Sequence, residues 1–176
     1  MSVRSLDGKK CLITGAGSGI GRATALRASE AGAELFLTDI NNLGLEETVA
    51  MVGAAGGTVS MAKALDISDY DEVVKFGTEI HTQFSPMDVV MNIAGISAWG
   101  TIENLEHRHW KSMVDVNLMG PIHVMETFVP PMIRAARVGT WSMCLRPPGS
   151  WPCRGMPPTV RASSAFAVSP KCCDSI

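Results

Sequence analysis

Residues 14–21 read Thr-Gly-Ala-Gly-Ser-Gly-Ile-Gly and separate two segments with different hydrophobic patterns. The run before them, Lys-Cys-Leu-Ile at 10–13, is typical of a buried parallel strand, and residues 20–31 have helical periodicity. Glycines at such a junction let the chain turn sharply, and their lack of a Cβ lets a ligand approach the backbone. The N–H groups at the helix start can then face a phosphate. The pattern predicts a phosphate-binding turn, and the alternative is a glycine-rich connection that binds nothing.

The spacing of these glycines differs from the common G-x-G-x-x-G dinucleotide pattern. In that pattern the third glycine would fall on Ile20. Residues 14–21 instead form T-G-x-x-x-G-I-G. The order of strand, glycine turn and helix still favours dinucleotide binding.

Composition excludes several classes of function. The chain has 176 residues, 15 basic and 17 acidic, and its net charge of −2 gives no reason to expect a nucleic acid or an anionic membrane as partner. Residues 1–7 lack the apolar core of a signal peptide, and no apolar run approaches the roughly 18 residues that a membrane helix needs. We therefore expect a soluble, cytoplasmic protein.

The cysteines and histidines do not predict a metal site. The five cysteines have no paired C-x-x-C spacing, so neither a disulfide framework nor a metal cluster is indicated. His107 and His109 would point in different directions on a helix, and with His81 and His123 they are interpreted as surface or packing residues.

Asp39 is the predicted ribose-binding residue. It ends an apolar strand at 33–38, about 20 residues beyond the glycine turn, where a dinucleotide fold places the acid that binds the ribose hydroxyls. A solvated turn residue or a helix cap is the alternative. A carboxylate about 4 Å from a 2′-phosphate would be repelled by about 4 kcal/mol at an intermediate dielectric constant. The sequence therefore favours NAD over NADP.

Strand and helix patterns alternate along the rest of the first 138 residues. A helix is expected at 42–52, a strand at 58–62, a third helix capped by Ser68 and Asp69 and a fourth strand at 87–91, followed by a largely helical segment. This alternation predicts an α/β fold, a parallel sheet with helices on both faces. The fourth strand delivers Asn92 to the carboxyl edge of the sheet, where ligands of such sheets bind.

Three motifs together resemble the short-chain dehydrogenase/reductase family over about residues 7–138. They are the glycine turn, the stretch 92–95 (Asn-Ile-Ala-Gly), which is similar to the family's N-N-A-G with isoleucine as its second residue, and the stretch 114–120, which contains Asn117. The resemblance implies a Rossmann-type doubly wound sheet and hydride transfer between NAD(H) and a small alcohol or carbonyl substrate. It also implies that full-length relatives are homo-oligomers.

The resemblance also assigns site residues. It implies that Asp66 and Ile67 lie beside the adenine, that the cofactor lies against Ala94 and Gly95, and that Asn117 supports a water-linked proton relay as the one catalytic residue of the family's set that this chain retains. Asn92 is expected to tie its strand to the neighbouring ones. The complete predicted cofactor site is Thr14, Gly15, Gly17, Ser18, Gly19, Ile20, Gly21, Asp39, Asp66, Ile67, Asn92, Ala94 and Gly95.

The character of the chain changes at Gly139. Residues 139–176 contain six of the ten prolines but only one of the 17 acidic residues. Proline removes donors from a sheet interior, so the segment 147–153 cannot be a central strand. We expect an incomplete NAD(P)-binding domain at 1–138, truncated after about the fourth strand and the following long helix, and an irregular tail at 139–176.

The family's catalytic serine, tyrosine and lysine are missing. A fifth strand ending in serine and then Tyr-x-x-x-Lys should follow, but the only tyrosine is Tyr70. The chain as written is therefore expected to be inactive, and a non-catalytic dinucleotide-binding fragment or pseudoenzyme is the alternative function. A variant domain is one explanation of the tail, and a shifted reading frame is another.

The genetic code supports the second explanation. When the third base of each codon is grouped with the first two of the next, residues 139–147 can be read as Gly-His-Leu-Val-Asn-Val-Ser-Ser-Ala, and 158–163 as Tyr-Ser-Ala-Ser-Lys. The second serine and the tyrosine are then thirteen codons apart, which is the family's spacing, and the lysine follows four codons later. We hypothesise a one-base frame change between about codons 133 and 140.

The nucleotide sequence of codons 130–176 tests this hypothesis. We expect an overlapping frame that encodes the strand and Tyr-x-x-x-Lys at the stated spacing. An overlapping frame without Tyr-x-x-x-Lys would show that the tail is not the product of a frame change.

Overall fold

The computed structural model of the chain describes residues 6–135 and 140–143. The strands are β1 (Lys10–Thr14), β2 (Glu34–Asp39), β3 (Thr58–Ala64), β4 (Val89–Asn92) and β5 (Thr140–Met143). The helices are α1 (Gly19–Glu30), α2 (Asn42–Ala54), α3 (Tyr70–Gln83), α4 (His107–Val114) and α5 (Gly120–Arg134), with a π-helical turn at Asp115–Met119 between the last two.

All strands pair in parallel, in the order β3-β2-β1-β4-β5. The chain therefore moves outward from β1 to β3 and then returns to the other side of β1 with β4. This reversal creates a crevice at the carboxyl ends of β1 and β4, the position at which such sheets bind ligands. The predicted α/β class with a doubly wound parallel sheet is confirmed.

Two apolar clusters hold helices on opposite faces of the sheet. On one face, strand residues such as Ile13 and Leu37 pack with Ala25 of α1 and Val52 of α2. On the other face, the cluster joins the strands to α3 and α5, and its members include Leu12, Phe36, Val90, Phe76 and Phe128. Neighbouring residues of β1 fall into different clusters because successive strand residues point to opposite faces.

Local capping explains where two of the helices begin. The Asn41 side chain accepts a hydrogen bond from the Gly44 N–H (3.2 Å) and caps α2. The Asp69 side chain accepts from the Glu72 N–H (3.1 Å) and caps α3, as one of the two predicted capping residues. These side chains satisfy N–H groups that have no partner inside the helix.

The long helical segment predicted after β4 is interrupted. The π-helical turn at Asp115–Met119 separates α4 from α5. Pro121, in the first turn of α5, has no N–H to donate to the preceding turn, which removes one regular helical hydrogen bond at this point.

The structure adds one strand to the sheet predicted from the sequence. Residues 140–143 form β5 and pair with β4, with Val89 opposite Thr140 and Asn92 opposite Met143. The segment Thr-Trp-Ser-Met contains strand-favouring residues and precedes the first proline of the tail at 147. It can therefore pair with the edge of β4, whose backbone N–H and C=O groups would otherwise lack a strand partner on that side. The remainder of the predicted irregular tail lies outside the described residues.

Within the part of the chain that the structure describes, no helix combines the length and the apolar character needed to cross a membrane.

Two helical glycines provide a test of the packing between α3 and α5. A Cβ added at Gly77 would overlap the side chain of Thr127, whereas a Cβ added at Gly53 would meet nothing within 4 Å. We expect Gly77→Ala to destabilise the fold by about 1–3 kcal/mol through overpacking. Gly53→Ala is the matched control and should be neutral or stabilise by up to about 1 kcal/mol, because alanine favours helix. Urea unfolding followed by circular dichroism measures both, and equal effects would contradict the packing described.

Candidate functional site

The glycine turn between β1 and α1 has the backbone shape that the sequence predicts. Gly15 and Gly19 have positive φ angles of 71° and 51°, which side chains disfavour. A Cβ on Gly15 would lie 2.7 Å from backbone atoms of Ala94, and a Cβ on Gly21 would overlap the carbonyl oxygen of Gly15. Glycine at 15 therefore allows the turn to lie against the segment that follows β4, and glycine at 21 allows the start of α1 to pack on the turn.

The first turn of α1 is left open. Ser18 is its N-cap residue, but the serine side chain makes no capping hydrogen bond and the first turn contains no acidic residue. The side chain of Ile20 is 54% exposed. Unlike α2 and α3, α1 therefore begins without a side-chain cap, and the N–H groups of Ser18–Gly21 are suited to binding an anion.

Asp39 contacts this turn directly. Its Oδ2 accepts a hydrogen bond from the Gly17 N–H at 2.8 Å, and its Oδ1 accepts from the Asn41 N–H at 2.8 Å. A Cβ on Gly17 would lie 2.8 Å from the carboxyl carbon of Asp39, so only glycine allows this approach. The carboxylate at the end of β2 is thereby held beside the glycine turn, and each oxygen keeps a lone pair for a further donor.

Arg22 binds the carbonyl of the same residue, Gly17. Its Nη2 donates to the Gly17 carbonyl at 2.6 Å, to the Gly44 carbonyl at 3.0 Å and to Glu47 Oε2 at 2.8 Å. Its Nε donates to the hydroxyl of Thr48 at 3.0 Å. Gly17 is therefore bound at its N–H by Asp39 and at its carbonyl by Arg22.

Thr48 completes this support from α2. Its side chain is fully buried, and its hydroxyl lies 2.8 Å from the Ala16 carbonyl oxygen. Sequence patterns did not indicate Arg22 or Thr48 as site residues. Arg22 follows the last glycine of the motif directly, which is the one local signal that could have suggested it, whereas Thr48 offers none.

Thr14 joins the ends of β1 and β4. It is fully buried, and its hydroxyl accepts the N–H groups of Ile93 (3.1 Å) and Ala94 (3.2 Å). The predicted residues Thr14, Ala94 and Gly95 thus meet at the crevice between the two strands. The methyl group of Ala94 and the absence of a side chain at Gly95 leave the backbone there accessible to a flat ligand.

Asn117 fastens the loop after β4 to the π-helical turn. Its Oδ1 accepts the Ile96 N–H and its Nδ2 donates to the Ile96 carbonyl, both at 2.9 Å. A Cβ on Gly95 would lie 3.1 Å from Asn117 Oδ1. The Asn117 amide is therefore engaged in positioning this loop.

Asp66 and Ile67 form the turn before α3. Asp66 Oδ1 accepts from the N–H of Ser68 at 2.8 Å and from its hydroxyl at 2.7 Å. The Ile67 side chain belongs to the core, and a Cβ on Gly120 would lie 2.6 Å from its Cδ1. Its carbonyl oxygen lies 3.0 Å from Nδ1 of His123. The structure thus places Ile67 as a packing residue, with its side chain in the core and its carbonyl beside His123.

Asn92 ends β4 at the same edge. Its side chain is 1% exposed, and neither its Nδ2 nor its Oδ1 has a hydrogen-bond partner within the described part of the chain. The predicted tie to neighbouring strands is not made by this amide among those residues.

Two titratable groups lie away from this site. Burial, with a contribution from the Asp88 carboxylate, raises the pKa of the Cys11 thiol to about 12, so the thiol stays protonated at neutral pH. Burial, and then the charge of Arg134, lowers the pKa of His81, whose ring packs beside Phe128. Among residues 6–135, no group of three or more His, Cys, Asp or Glu side chains could hold a metal ion.

Comparisons with known proteins agree with this geometry. The model of the family described as short chain dehydrogenase matches residues 9–140. SadH of Mycobacterium tuberculosis is 36% identical over 129 residues, which are 73% of this chain and 46% of that protein. The chain spans about half the length of the curated relatives it matches.

Solved structures of short-chain dehydrogenases are also similar to most of this chain. A short chain dehydrogenase/reductase from Burkholderia phymatum in complex with NAD has a TM-score of 0.76 and 30% identity, over 83% of this chain and 54% of that one. A metagenomic short-chain oxidoreductase in complex with NADP has a TM-score of 0.76 and 31% identity, over 84% of this chain and 66% of that one.

Arg22 and Arg27 provide a matched test of the support behind the glycine turn. Both lie on α1 and both pair with a glutamate, but Arg27 is 81% exposed and Arg22 is 24% exposed. We expect Arg22→Met to destabilise the fold by about 2–3 kcal/mol, because carbonyl and hydroxyl acceptors lose a charged donor. Arg27→Met should change stability by less than about 1 kcal/mol, as for other exposed ion pairs. Denaturant unfolding measures both, and similar values would contradict the role of Arg22.

Proposed function

Because the chain belongs to the short-chain dehydrogenase family, we propose that it is the nucleotide-binding part of an oxidoreductase that transfers hydride between NAD(H) and a small alcohol or carbonyl compound. The observation that carries the proposal is the contact between Asp39 and the Gly17 N–H at 2.8 Å. This contact puts a carboxylate next to the turn that we propose binds phosphate. A dinucleotide carries a ribose next to its pyrophosphate, and the Rossmann fold binds the first with an acid and the second at the helix start.

The pyrophosphate occupies the open first turn of α1 in this proposal. The uncapped N–H groups of Ser18–Gly21 and the positive end of the helix dipole favour an anion there. Gly15 keeps the backbone after β4 close by, so that the cofactor can pass from the turn to the crevice. The nicotinamide then lies near Ala94 and Gly95.

Asp39 favours NAD over NADP. Its two oxygens can accept the two hydroxyls of the adenine ribose in addition to the N–H groups they already bind. A 2′-phosphate at the same position would be repelled by about 4 kcal/mol at an intermediate dielectric constant. The neighbouring structures include one in complex with NAD and one in complex with NADP, so the choice depends on this carboxylate rather than on the fold.

We propose that the chain as written binds the cofactor without turnover. Hydride transfer builds charge on the substrate oxygen, and a phenol must have its pKa of about 10 lowered to exchange a proton there near neutral pH. The only tyrosine, Tyr70, begins α3 and packs its ring 5.3 Å from His123 instead. The Asn117 amide is held by Ile96, so any contribution of this residue to a proton relay would come from its backbone.

A second candidate is a dinucleotide-binding pseudoenzyme that never turns over substrate. The absence of Tyr-x-x-x-Lys from the printed sequence favours it. The overlapping codons at 139–163 favour the first candidate, a gene for an active oxidoreductase with a changed reading frame. We place the product in the cytoplasm, with residues 1–138 as its nucleotide-binding domain.

Calorimetric titration with NADH and NADPH tests the proposal. We expect the chain to bind NADH more tightly than NADPH. Asp39→Asn should weaken NADH binding about tenfold or more, a loss of about 1.4 kcal/mol. The same substitution should reduce the ratio of the NADH affinity to the NADPH affinity. Asp71→Asn, an exposed acid in the first turn of α3, is the control and should leave both affinities unchanged.

An activity screen over alcohols and ketones separates the two candidates. The chain as written should show no turnover with NAD or NADH, and a chain with the reading frame restored should oxidise or reduce at least one substrate class. Restored catalytic residues without turnover would favour the pseudoenzyme. Failure of the written chain to bind either dinucleotide would contradict both candidates.

A further inference from the structure

His123 on α5 is a buried histidine whose hydrogen bond defines its tautomer. The residue is 9% exposed, and its Nδ1 lies 3.0 Å from the carbonyl oxygen of Ile67. A carbonyl oxygen can only accept a hydrogen bond, so Nδ1 must carry a proton and donate it. The neutral ring is therefore protonated at Nδ1, and its Nε2 is left as an acceptor.

Two residues of α5 that lie about one helical turn apart hold Ile67. A Cβ on Gly120 would lie 2.6 Å from Ile67 Cδ1, so the isoleucine side chain lies directly against this glycine. Residues three apart on a helix share a face. The same face of α5 therefore contacts the Ile67 side chain from position 120 and binds the Ile67 carbonyl from position 123. These contacts tie residues 66–69, the turn between β3 and α3, to α5.

The 66–69 turn also has hydrogen bonds of its own. Asp66 Oδ1 accepts from the N–H and the hydroxyl of Ser68, and the Asp66 carbonyl accepts from the Asp69 N–H at 3.0 Å. Directly after the turn, the ring of Tyr70 packs edge-on against His123, with the ring centroids 5.3 Å apart. The internal hydrogen bonds fix the shape of the turn, whereas His123 fixes its position relative to α5.

The 66–69 turn lies beside Asp39, the proposed ribose acid. The N–H of Leu65, the residue before the turn, donates to the carbonyl oxygen of Asp39 at 3.0 Å. In a dinucleotide the purine is attached to the ribose that Asp39 is proposed to bind, so the purine comes within reach of this turn. Asp66 binds Ser68 through Oδ1, and its Oδ2 can accept a hydrogen bond from a ligand.

We propose that His123 is a positioning residue of the cofactor site, which holds the 66–69 turn where Asp66 accepts the exocyclic amino group of adenine. This inference rests on the proposed function, because it takes a dinucleotide as the ligand. His123 does not touch the cofactor and acts through the Ile67 carbonyl. Loss of its N–H donor should therefore weaken recognition of the purine.

Substitutions in the full chain separate this role from packing alone. His123→Leu removes the donor, and so does His123→Phe, which keeps a ring beside Tyr70 in case the leucine variant does not fold. His123→Asn keeps an N–H donor on the atom bonded to Cγ, as in histidine. His81→Leu is the matched control. The His81 ring also packs 5.3 Å from an aromatic ring, that of Phe128, but its buried Nε2 has no hydrogen-bond partner in the described part of the chain.

Amide hydrogen exchange without cofactor measures how firmly the turn is held. In His123→Leu and His123→Phe, the amides of residues 66–70 should exchange about fivefold faster, as expected from the loss of one net hydrogen bond. His123→Asn should show a smaller effect, and His81→Leu should leave the exchange of these amides unchanged.

Calorimetric titration with NADH and with reduced nicotinamide hypoxanthine dinucleotide measures the effect on the cofactor. The analogue has a carbonyl where adenine has its amino group, so it cannot donate to Asp66 there. The unsubstituted chain should bind NADH about fivefold more tightly than the analogue, and this ratio should fall towards one in His123→Leu and His123→Phe. His123→Asn should keep most of the ratio and His81→Leu all of it. A loss of fold stability alone would affect both ligands equally and would leave the ratio unchanged.

The results distinguish failure of this inference from failure of the proposed function. Unchanged exchange at 66–70 in the two variants without a donor would overturn the inference. So would NADH binding whose preference over the analogue is absent from the unsubstituted chain or is kept by those variants, and the proposed function would then stand. Failure of the unsubstituted chain to bind NADH would instead refute the proposed function, while faster exchange in the same variants would uphold the hold of His123 on the turn.

Discussion

The hydrogen bond between the Asp39 carboxylate and the Gly17 N–H connects the end of β2 to the turn after β1, and the site is built around it. It requires glycine at 17, since a Cβ there would lie 2.8 Å from the carboxyl carbon. It also requires parallel pairing of β1 with β2, which brings Thr14 opposite Thr38 and so aligns the two strand ends. A single contact therefore depends on the local shape of the turn and on the register of the sheet.

The other supports of the turn combine residues next to it in sequence with one from α2. Arg22 binds the Gly17 carbonyl, Thr48 of α2 binds the Ala16 carbonyl, and Thr14 binds the segment after β4. Arg22 and Thr48 thus hold two carbonyls of the turn, and the first N–H groups of α1 carry no side-chain cap. The turn is thus held in one geometry by the protein itself, and such preorganisation reduces the entropy lost when a ligand binds.

At the edge of the sheet formed by β4 and β5, one buried polar group has no partner among the described residues. β5 pairs with β4 through the backbone, but the buried amide of Asn92 beside it lacks a partner among the described residues. Backbone pairing accepts almost any sequence without proline, whereas a buried side-chain amide accepts only a few partners. A short strand can therefore pair at this edge through its backbone alone.

The sequence by itself determined the fold class, the glycine turn and the position of Asp39. Hydrophobic period, turn glycines and spacing along the chain are local properties, and they predict elements and their order. Only the tertiary structure decided which side chains support the site. Arg22, Thr48 and the pairing of Asn117 with Ile96 join residues that are far apart in sequence, and no local pattern encodes such contacts. It also decided that the sheet continues to β5, because an unpaired strand edge provides hydrogen-bonding groups that the sequence of 140–143 does not reveal by itself.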